Sequence, residues 1–455
     1  MSVDTVVTHC KIVRHDGILN AGLAIDRGKV VAIADDGALP PADNTIDAKG
    51  NFLIPGVIDA HVHLEYPPGV DPESNIKKET RACAAAGCTT IIHLLAPADN
   101  ILEKAGEFVG FYEKHGLVDL ALSARIYTRD NIKQIQSLYD FGIINVKLLL
   151  PYKGGEAVWK GRVGGIDDGI IYLTFREVGR LAKKGDRAFV RVHCENAEIF
   201  FKMKDEFLEQ GIEPASWNEA RPRVCEAEAM RKCLYLAEVT ECPIYVVHMT
   251  IKEGVDLINK ARARGVNVVT ETCVQYLTLN TDTVDRVLSK INPPIREPED
   301  NDALWEALKE GTIDVVATDH APVPKELKKD LWDATPGIPG AELFLPLMLS
   351  EGVNKGKISL ERMVDVCCYR PARQFGLAPR KGTLSIGSDA DLVLIDLDRE
   401  AVAPPKPVYS NADYSLIAGR KIKGWPILTM LRGRIVAQDG QVVEESGEGK
   451  YIAGR

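Results

Sequence analysis

Residues 244–273 read IYVVHMTIKEGVDLINKARARGVNVVTETC. A short run rich in β-branched residues comes first, then a polar helix-like segment, then a second β-branched run. Strand, crossover helix and parallel strand is the arrangement that order predicts, because parallel neighbours need a long connection between them. The same alternation fills the middle of the chain. Strand-like runs recur at GVIDAHVH (56–63), TTIIHLLA (89–96), LALSARIYT (120–128), INVKLLL (144–150), AFVRVHCE (188–195) and IDVVATDH (313–320). Helix-like segments such as SNIKKETRACAAAG (74–87) and NDALWEALKEG (301–311) lie between most of them. Eight parallel strands with helical crossovers make an α/β fold, a (β/α)8 TIM-like barrel. A doubly wound open sheet is the competing architecture, and no GxGxxG or GxxxxGK[ST] run supports a nucleotide-binding version of it.

The two ends have a different texture. TVVTHCKIVRHDG (5–17), AGLAIDRGKVVAIADDG (21–37) and NTIDAKGNFLIPG (44–56) alternate short β-like runs with turns. So do TLSIGSDADLVLIDLD (383–398) and ILTMLRGRIVAQDGQVV (427–443). This predicts a small β-sandwich domain built from both termini, residues 1–54 plus 382–455, around a catalytic barrel of residues 55–381. After the fourth barrel strand, PYKGGEAVWKGRVGGIDDG (151–169) is the longest insertion. Its glycines and its place on the active-site face make it a candidate lid.

Composition excludes several classes. A net charge of −9 lacks the basic face that nucleic acid requires. No run is long and apolar enough for a membrane span, and MSVDTVVTHCKIVRHDG lacks the apolar core of a signal peptide. Ten scattered cysteines without a CxxC pair read as reduced thiols of a cytoplasmic protein. Cys194 and Cys273 lie near the motifs below and are read as inert packing.

Chemistry concentrates at strand ends. His61 and His63 are two apart at the end of the first strand, so a period of two turns both imidazoles into the barrel. His193 ends the fifth strand, His248 the sixth, and Asp319 the eighth. Four histidines and an aspartate converging on the active-site face suit borderline divalent metals such as zinc. His93 lies mid-strand and is read as structural; His320, beside Asp319, as supporting or packing; His9, His15 and His115 as solvated.

Lys147 is the anomaly. It sits within INVKLLL, a strand buried on both faces, where a bare ammonium is costly. Snorkelling from a strand end is the simplest account of it. Two metal ions served by one aspartate, however, call for a second, bridging anion. A lysine that has captured CO2 is such an anion, a carbamate with two oxygens.

With these residues stand GVIDAHVHL, VKLLLPYKG, VHCEN, VVHMT, ETCVQYL, NPPIR, ATDHAP, GIPGAELFLPLML and KGTLSIGSDADLVLIDLD. Together they resemble the metal-dependent amidohydrolase superfamily, and within it the hydantoinase/dihydropyrimidinase group of cyclic amidohydrolases. The resemblance implies that His61, His63 and Asp319 hold one metal, His193 and His248 the other, and N6-carboxylated Lys147 bridges them. Zinc is the expected metal, with manganese or cobalt as substitutes. It further implies attack of a metal-bridging hydroxide on a ring amide. Asp319 then serves as base and acid, and Tyr152 donates to the oxyanion. A homotetramer and a small cyclic amide substrate are the implied partners.

The ring is less defined. Dihydroorotases resembling this chain carry HxHxR, whereas Glu65 stands where that arginine would be and should repel an anionic substrate. Asn292 replaces a serine frequent in hydantoinases, and TPGIPG (335–340), with Pro336, replaces an NGxxG-like run. Asn292 can still donate and accept, so Tyr152, Asn292 and Glu65 are the substrate-binding candidates and a hydantoin, dihydropyrimidine or related ureide or imide the expected ring. Allantoinase and dihydroorotase activities are the enzymatic alternatives, and a non-catalytic dihydropyrimidinase-related scaffold the remote one.

Overall fold

A computed structural model describes residues 2–152, 166–444 and 447–455. The segment 153–165, most of the expected lid, lies outside the described residues. Seven strands come first: β1 (Val3–Thr8), β2 (Lys11–Arg14), β3 (Gly17–Asn20), β4 (Gly22–Asp26), β5 (Lys29–Ala34), β6 (Ala42–Asp47) and β7 (Phe52–Pro55). Next come β8 (Val57–Val62), β9 (Cys88–Leu94), β10 (Asp119–Arg125), β11 (Asn145–Leu149), β12 (Phe189–His193), β13 (Ile244–Val246), β14 (Val268–Cys273) and β15 (Val315–Ala317). The chain closes with β16 (Leu392–Val402), β17 (Lys421–Leu431), β18 (Arg434–Gln438) and β19 (Gln441–Val442).

β8 to β15 form one eight-stranded sheet in sequence order, every neighbouring pair parallel. All eight runs read as strands from the sequence are strands of this barrel. Closure comes at the ends of β8 and β15, where Val62 bridges His320 and His63 N–H donates to His320 O at 2.9 Å. Asp59 staples the same seam: its carboxylate accepts from Thr318 Oγ1 at 2.5 Å and from the backbone N–H groups of Thr318 and His61. Burial on both faces explains why the strands are almost wholly apolar apart from the residues discussed below.

Four of the crossover helices start at a side chain that caps them. Asp71 accepts from Ser74 N at the head of Pro72–Ala85, and Asn100 from Glu103 N at the head of Ile101–His115. Asp167 and Asn196 do the same for Asp168–Ala182 and Ala197–Glu209. Each cap satisfies a backbone donor that the first helical turn leaves without a partner. No helix among the described residues is long and apolar enough to cross a membrane.

Both chain ends share the second core. One sheet runs β19-β18-β17-β16-β7-β2-β3, mixing the two ends; the other runs β5-β4-β1-β6. Ile12, Leu23, Val30, Leu53, Leu392 and Met430 belong to the apolar cluster of these two sheets. A buried ion cluster ties this unit to the barrel. Lys381 Nζ lies 2.5 Å from Asp119 at the start of β10, 2.5 Å from Asp391 and 2.8 Å from Asp389.

The histidines set aside as solvated are placed variously. His9 is exposed beside Asp47, His15 stacks on Tyr369 at 3.6 Å between ring centroids, and His115 ends a helix against Phe111.

Candidate metal centre

His61 is the fifth residue of β8 and His63 follows its end, with ring centroids 5.2 Å apart. Asp319, two residues past β15, reaches both: its Oδ1 lies 3.3 Å from His61 Nε2 and 2.9 Å from His63 Nε2. One ligand atom from each of the three falls within 4.8 Å of the others. Lys147 Nζ is 3.5 Å from His61 Nε2, wholly buried. His248 stacks 5.4 Å from His61 and meets His193 edge-on at 4.3 Å. The six residues expected as ligands therefore converge at one mouth of the barrel.

Behind them is a layer of carboxylates that orients the rings. His61 Nδ1–H donates to Glu271 Oε1 at 2.8 Å, leaving Nε2 toward Asp319 and Lys147. His193 Nε2–H donates to Glu195 Oε2 at 2.7 Å, leaving Nδ1 for the centre. A carboxylate on the far nitrogen is how metal-ligating imidazoles are held in one tautomer. Burial, then the charge of Lys147, holds His61 well below the usual imidazole range. Burial brings His193 down to about 4 and, with the charge of His193, holds His248 well below its usual value. Neutral rings are the form that binds metal, and His248 Nδ1 is buried without a hydrogen-bond partner. Donor set, tautomers and that orphan nitrogen all fit a pair of divalent cations.

Electrostatics around Lys147 point the same way. Burial first, and then the Arg191 guanidinium, push its amine well below the ordinary lysine value. Burial raises the Asp319 carboxyl to about 7. Glu271 is a hub: besides His61 it accepts from Tyr245 Oη at 2.7 Å and His248 N at 3.2 Å, and pairs with Arg191 at 3.3 Å. Burial works to raise Glu195, yet Arg221, which holds it at 2.8 Å, and His193 bring it to about 2.

Two of the converging residues sit on unusual backbone. His248 has φ +38° and Asp319 φ +50°, the left-handed region that costs non-glycine residues about 1–3 kcal/mol. Both lie just beyond short strands, β13 and β15, so the chain turns sharply there to aim their side chains inward. His248 and Asp319 thus belong to the strand-to-loop turns rather than to the strands.

A pocket of about 50 Å3 opens beside the histidines, lined by His63, Tyr66, Tyr152, Asn292, Asp319 and Pro336 among others. Tyr152, Asn292 and Pro336 also line an adjoining cavity of about 180 Å3 walled by Phe200, Trp217 and Trp332. Trp217 Nε1–H donates to Asn292 Oδ1 at 2.9 Å. Indole can only donate, so this bond assigns the amide oxygen to Trp217 and leaves the NH2 of Asn292 for another acceptor.

Glu65 is placed elsewhere. Its Oε2 accepts from Ala96 N at 2.7 Å and faces His93 Nε2 at 3.3 Å, and its Oε1 pairs with Lys104 at 2.7 Å. Burial alone would raise this carboxyl; His93 and Lys104 bring it to about 2. Its charge is spent on β9, the loop after it and the following helix, and Glu65 is not among the residues lining either pocket. His320 donates from Nε2 to Glu79 at 2.7 Å, and its Nδ1 accepts from Gly340 N, which makes it a stay for the loop after β15. Glu271, Glu195, Arg191, Arg221 and Arg125 are site residues that sequence reasoning missed. A charged residue inside an apolar strand, as in NVVTETC and AFVRVHCE, is the signal that marks Glu271 and Arg191.

Residues 52–436 match the model of the amidohydrolase family. The chain is 34% identical to an L-hydantoinase of Paenarthrobacter aurescens, covering 99% of this chain and 98% of that protein. It is equally, 34%, identical to a D-hydantoinase of Ralstonia pickettii, covering 100% and 99% of the two chains. Among solved structures, an L-hydantoinase from Arthrobacter aurescens superposes with a TM-score of 0.91 at 34% identity, covering 99% of this chain and 100% of that one. A dihydropyrimidinase from Brevibacillus agri also gives 0.91, at 30% identity over 99% and 98%.

Proposed function

The chain belongs to the amidohydrolase family, in its hydantoinase and dihydropyrimidinase group, and from that premise we propose that it opens a cyclic ureide or imide ring by hydrolysis at a two-metal centre. The observation that carries the reading is the cluster of His61, His63 and Asp319 with Lys147 3.5 Å from His61 Nε2 at the barrel mouth. His61, His63 and Asp319 would hold one divalent ion, His193 and His248 the other. Zinc is the expected metal. Lys147 would lie between the ions as a carbamate: its neutral amine forms the N–C bond to CO2 and releases one proton. The depressed basicity of this buried lysine and the nearby Arg191 charge both support that anion.

When bound, two such ions acidify water and polarise an amide carbonyl. The protein's own part follows from the geometry. Asp319 takes the proton of the attacking water at its carboxylate and returns it to the ring nitrogen as the C–N bond breaks, base and then acid. Tyr152, on the wall shared with His63 and Asp319, donates its hydroxyl to the oxygen that gains charge. Asn292, held through Oδ1 by Trp217, offers its NH2 to a ring carbonyl. The leaving nitrogen stays tethered to the product, so ring closure is the expected reverse reaction.

Purified, metal-loaded protein assayed on hydantoin, 5-substituted hydantoins, dihydrouracil, allantoin and dihydroorotate should open at least one ring. Failure on all of them, with two metals bound per chain, overturns the proposal. The cytoplasm is the proposed location, where ten buried, unpaired cysteines remain reduced. A homotetramer is the proposed assembly. On helix Arg223–Thr240, Val224, Tyr235 and Val239 are exposed and, at 100° per residue, share an arc of roughly 60°. Light scattering should give four times the chain mass; a monomer at micromolar concentration would refute the assembly.

A further inference from the structure

Four arginines are buried among the described residues: Arg125, Arg191, Arg221 and Arg296. Three are neutralised within the protein. Arg191 pairs with Glu271, Arg221 with Glu195 and Arg296 with Glu226. Arg125 pairs with no carboxylate among the described residues. Among the described residues its one side-chain polar contact is Nη2 at 3.5 Å from His63 Nδ1, and its Nε is buried without a partner there. A guanidinium always carries its charge, so a buried one without an anion is a standing cost to the fold.

Its position says which anion could relieve it. Arg125 is the last residue of β10, at the active-site end of the barrel, and its Cα is registered beside that of Lys147 on β11. The guanidinium touches His63, which lines the ring pocket. The electrostatic case against an anionic substrate rested on Glu65, and Glu65 is spent on Lys104, His93 and Ala96 N. Arg125 lines neither pocket itself and reaches the wall of the ring pocket through His63, and among the described residues no carboxylate pairs with it, so the charge it offers at that wall is positive.

Resting on the reading of this site as a cyclic amidohydrolase, we propose that Arg125 is the counter-charge for a carboxylate on the substrate. The ring opened is then an anionic one, a cyclic ureide or imide carrying an acid group. Two N–H groups of a guanidinium match two carboxylate oxygens, so Arg125 also sets the orientation in which the ring enters.

The test compares a hydantoin bearing a 2-carboxyethyl group at C5 with its carboxamide, which has the same shape and no charge, and dihydroorotate with its carboxamide. Metal-loaded wild type should favour at least one acid over its amide in kcat/KM. Arg125→Gln should lower that acid-to-amide ratio by on the order of 100-fold, with Arg125→Lys recovering part of it. Metal content and the 13C signal of a lysine carbamate, read on Arg125→Gln after exposure to 13CO2, should stay at wild-type levels. The proposal is overturned if wild type prefers the amide of both pairs, or if the ratio survives Arg125→Gln. It is also overturned if the variant loses carbamate and metal while the ratio persists, because the guanidinium then serves Lys147. Opening of neutral rings alone defeats this inference and leaves the cyclic amidohydrolase reading intact; opening of none defeats both.

Discussion

Lys147→Ala is expected to strip the metals and abolish ring opening together. Losing a residue that stands behind a metal ligand costs a site roughly 10–100-fold in affinity or activity. Lys147 is proposed to touch both ions, so its loss should exceed that, by at least about 10³-fold in kcat/KM. The variant also removes the amine that sits at 3.5 Å from His61 Nε2 and opens a void among wholly buried neighbours. Acetate or propionate entering that void would restore a bridging carboxylate, so partial recovery of both metal content and activity on adding them is the distinctive outcome. Elemental analysis and kinetics on the same samples make the check. An alanine variant that stays fully metallated and active without added acid would remove Lys147 from the centre.

Lys381→Ala should produce the largest loss of stability. The ammonium is buried against Asp119, Asp389 and Asp391, and removing one partner of a buried ionic group costs about 3–5 kcal/mol. Other cations remain near two of the three: Arg432 beside Asp119, and Lys29 and Arg380 beside Asp389. Asp391 keeps the more distant Arg432 charge and the Arg432 backbone N–H, but no second ion pair among the described residues. The pH dependence follows from this. In the wild type, burial would raise Asp389 but Lys381 and Lys29 bring it to about 2, below its unfolded value. It therefore stabilises above the unfolded value and ceases to as pH falls toward 2. Burial already raises Asp391 in the wild type, and without Lys381 to oppose it the variant's Asp391 binds its proton still more tightly folded than unfolded. Its penalty shrinks in acid and grows as pH rises. Unfolding midpoints of variant and wild type should thus lie closer at pH 5 than at pH 8. An equal gap at both would place the loss in packing rather than charge.

The architecture was legible in the sequence because the barrel repeats one physical pattern eight times. Each apolar run is buried on two faces, and several crossover helices start at a residue such as Asp71 or Asn196 that caps them. Lys147 was legible for the opposite reason, as a charge where the pattern forbids one. Glu271 and Arg191 carry the same mark, and reading every charge inside an apolar strand as a question would have found both. The pairings were not legible. Glu195 and Arg221 are 26 residues apart, and His61 and Glu271 are 210 apart; only the closed barrel brings them together. Glu65 shows the limit most clearly. Its position beside the metal motif suggested a group facing the substrate, but Ala96 N on the loop after β9 and Lys104 on the following helix capture it first. Arg125 was passed over for the converse reason: an arginine at a strand end is ordinary until the absence of its carboxylate is seen.

The shared sheet also has a consequence for how the chain is made. β7, residues 52–55, finds its antiparallel neighbour β16 only at residues 392–395. At roughly 5–20 residues per second on the ribosome, the earlier strand emerges tens of seconds before the later one exists. Through that interval Leu53 and Ile54, fully enclosed in the finished molecule, have no permanent neighbour on that edge. The eight barrel strands are all synthesised in between, so the barrel has time to close first. Only β16 to β19 of the small domain are made after the barrel, so it is their pairing with β7, with Lys381 meeting Asp119, that completes the shared sheet.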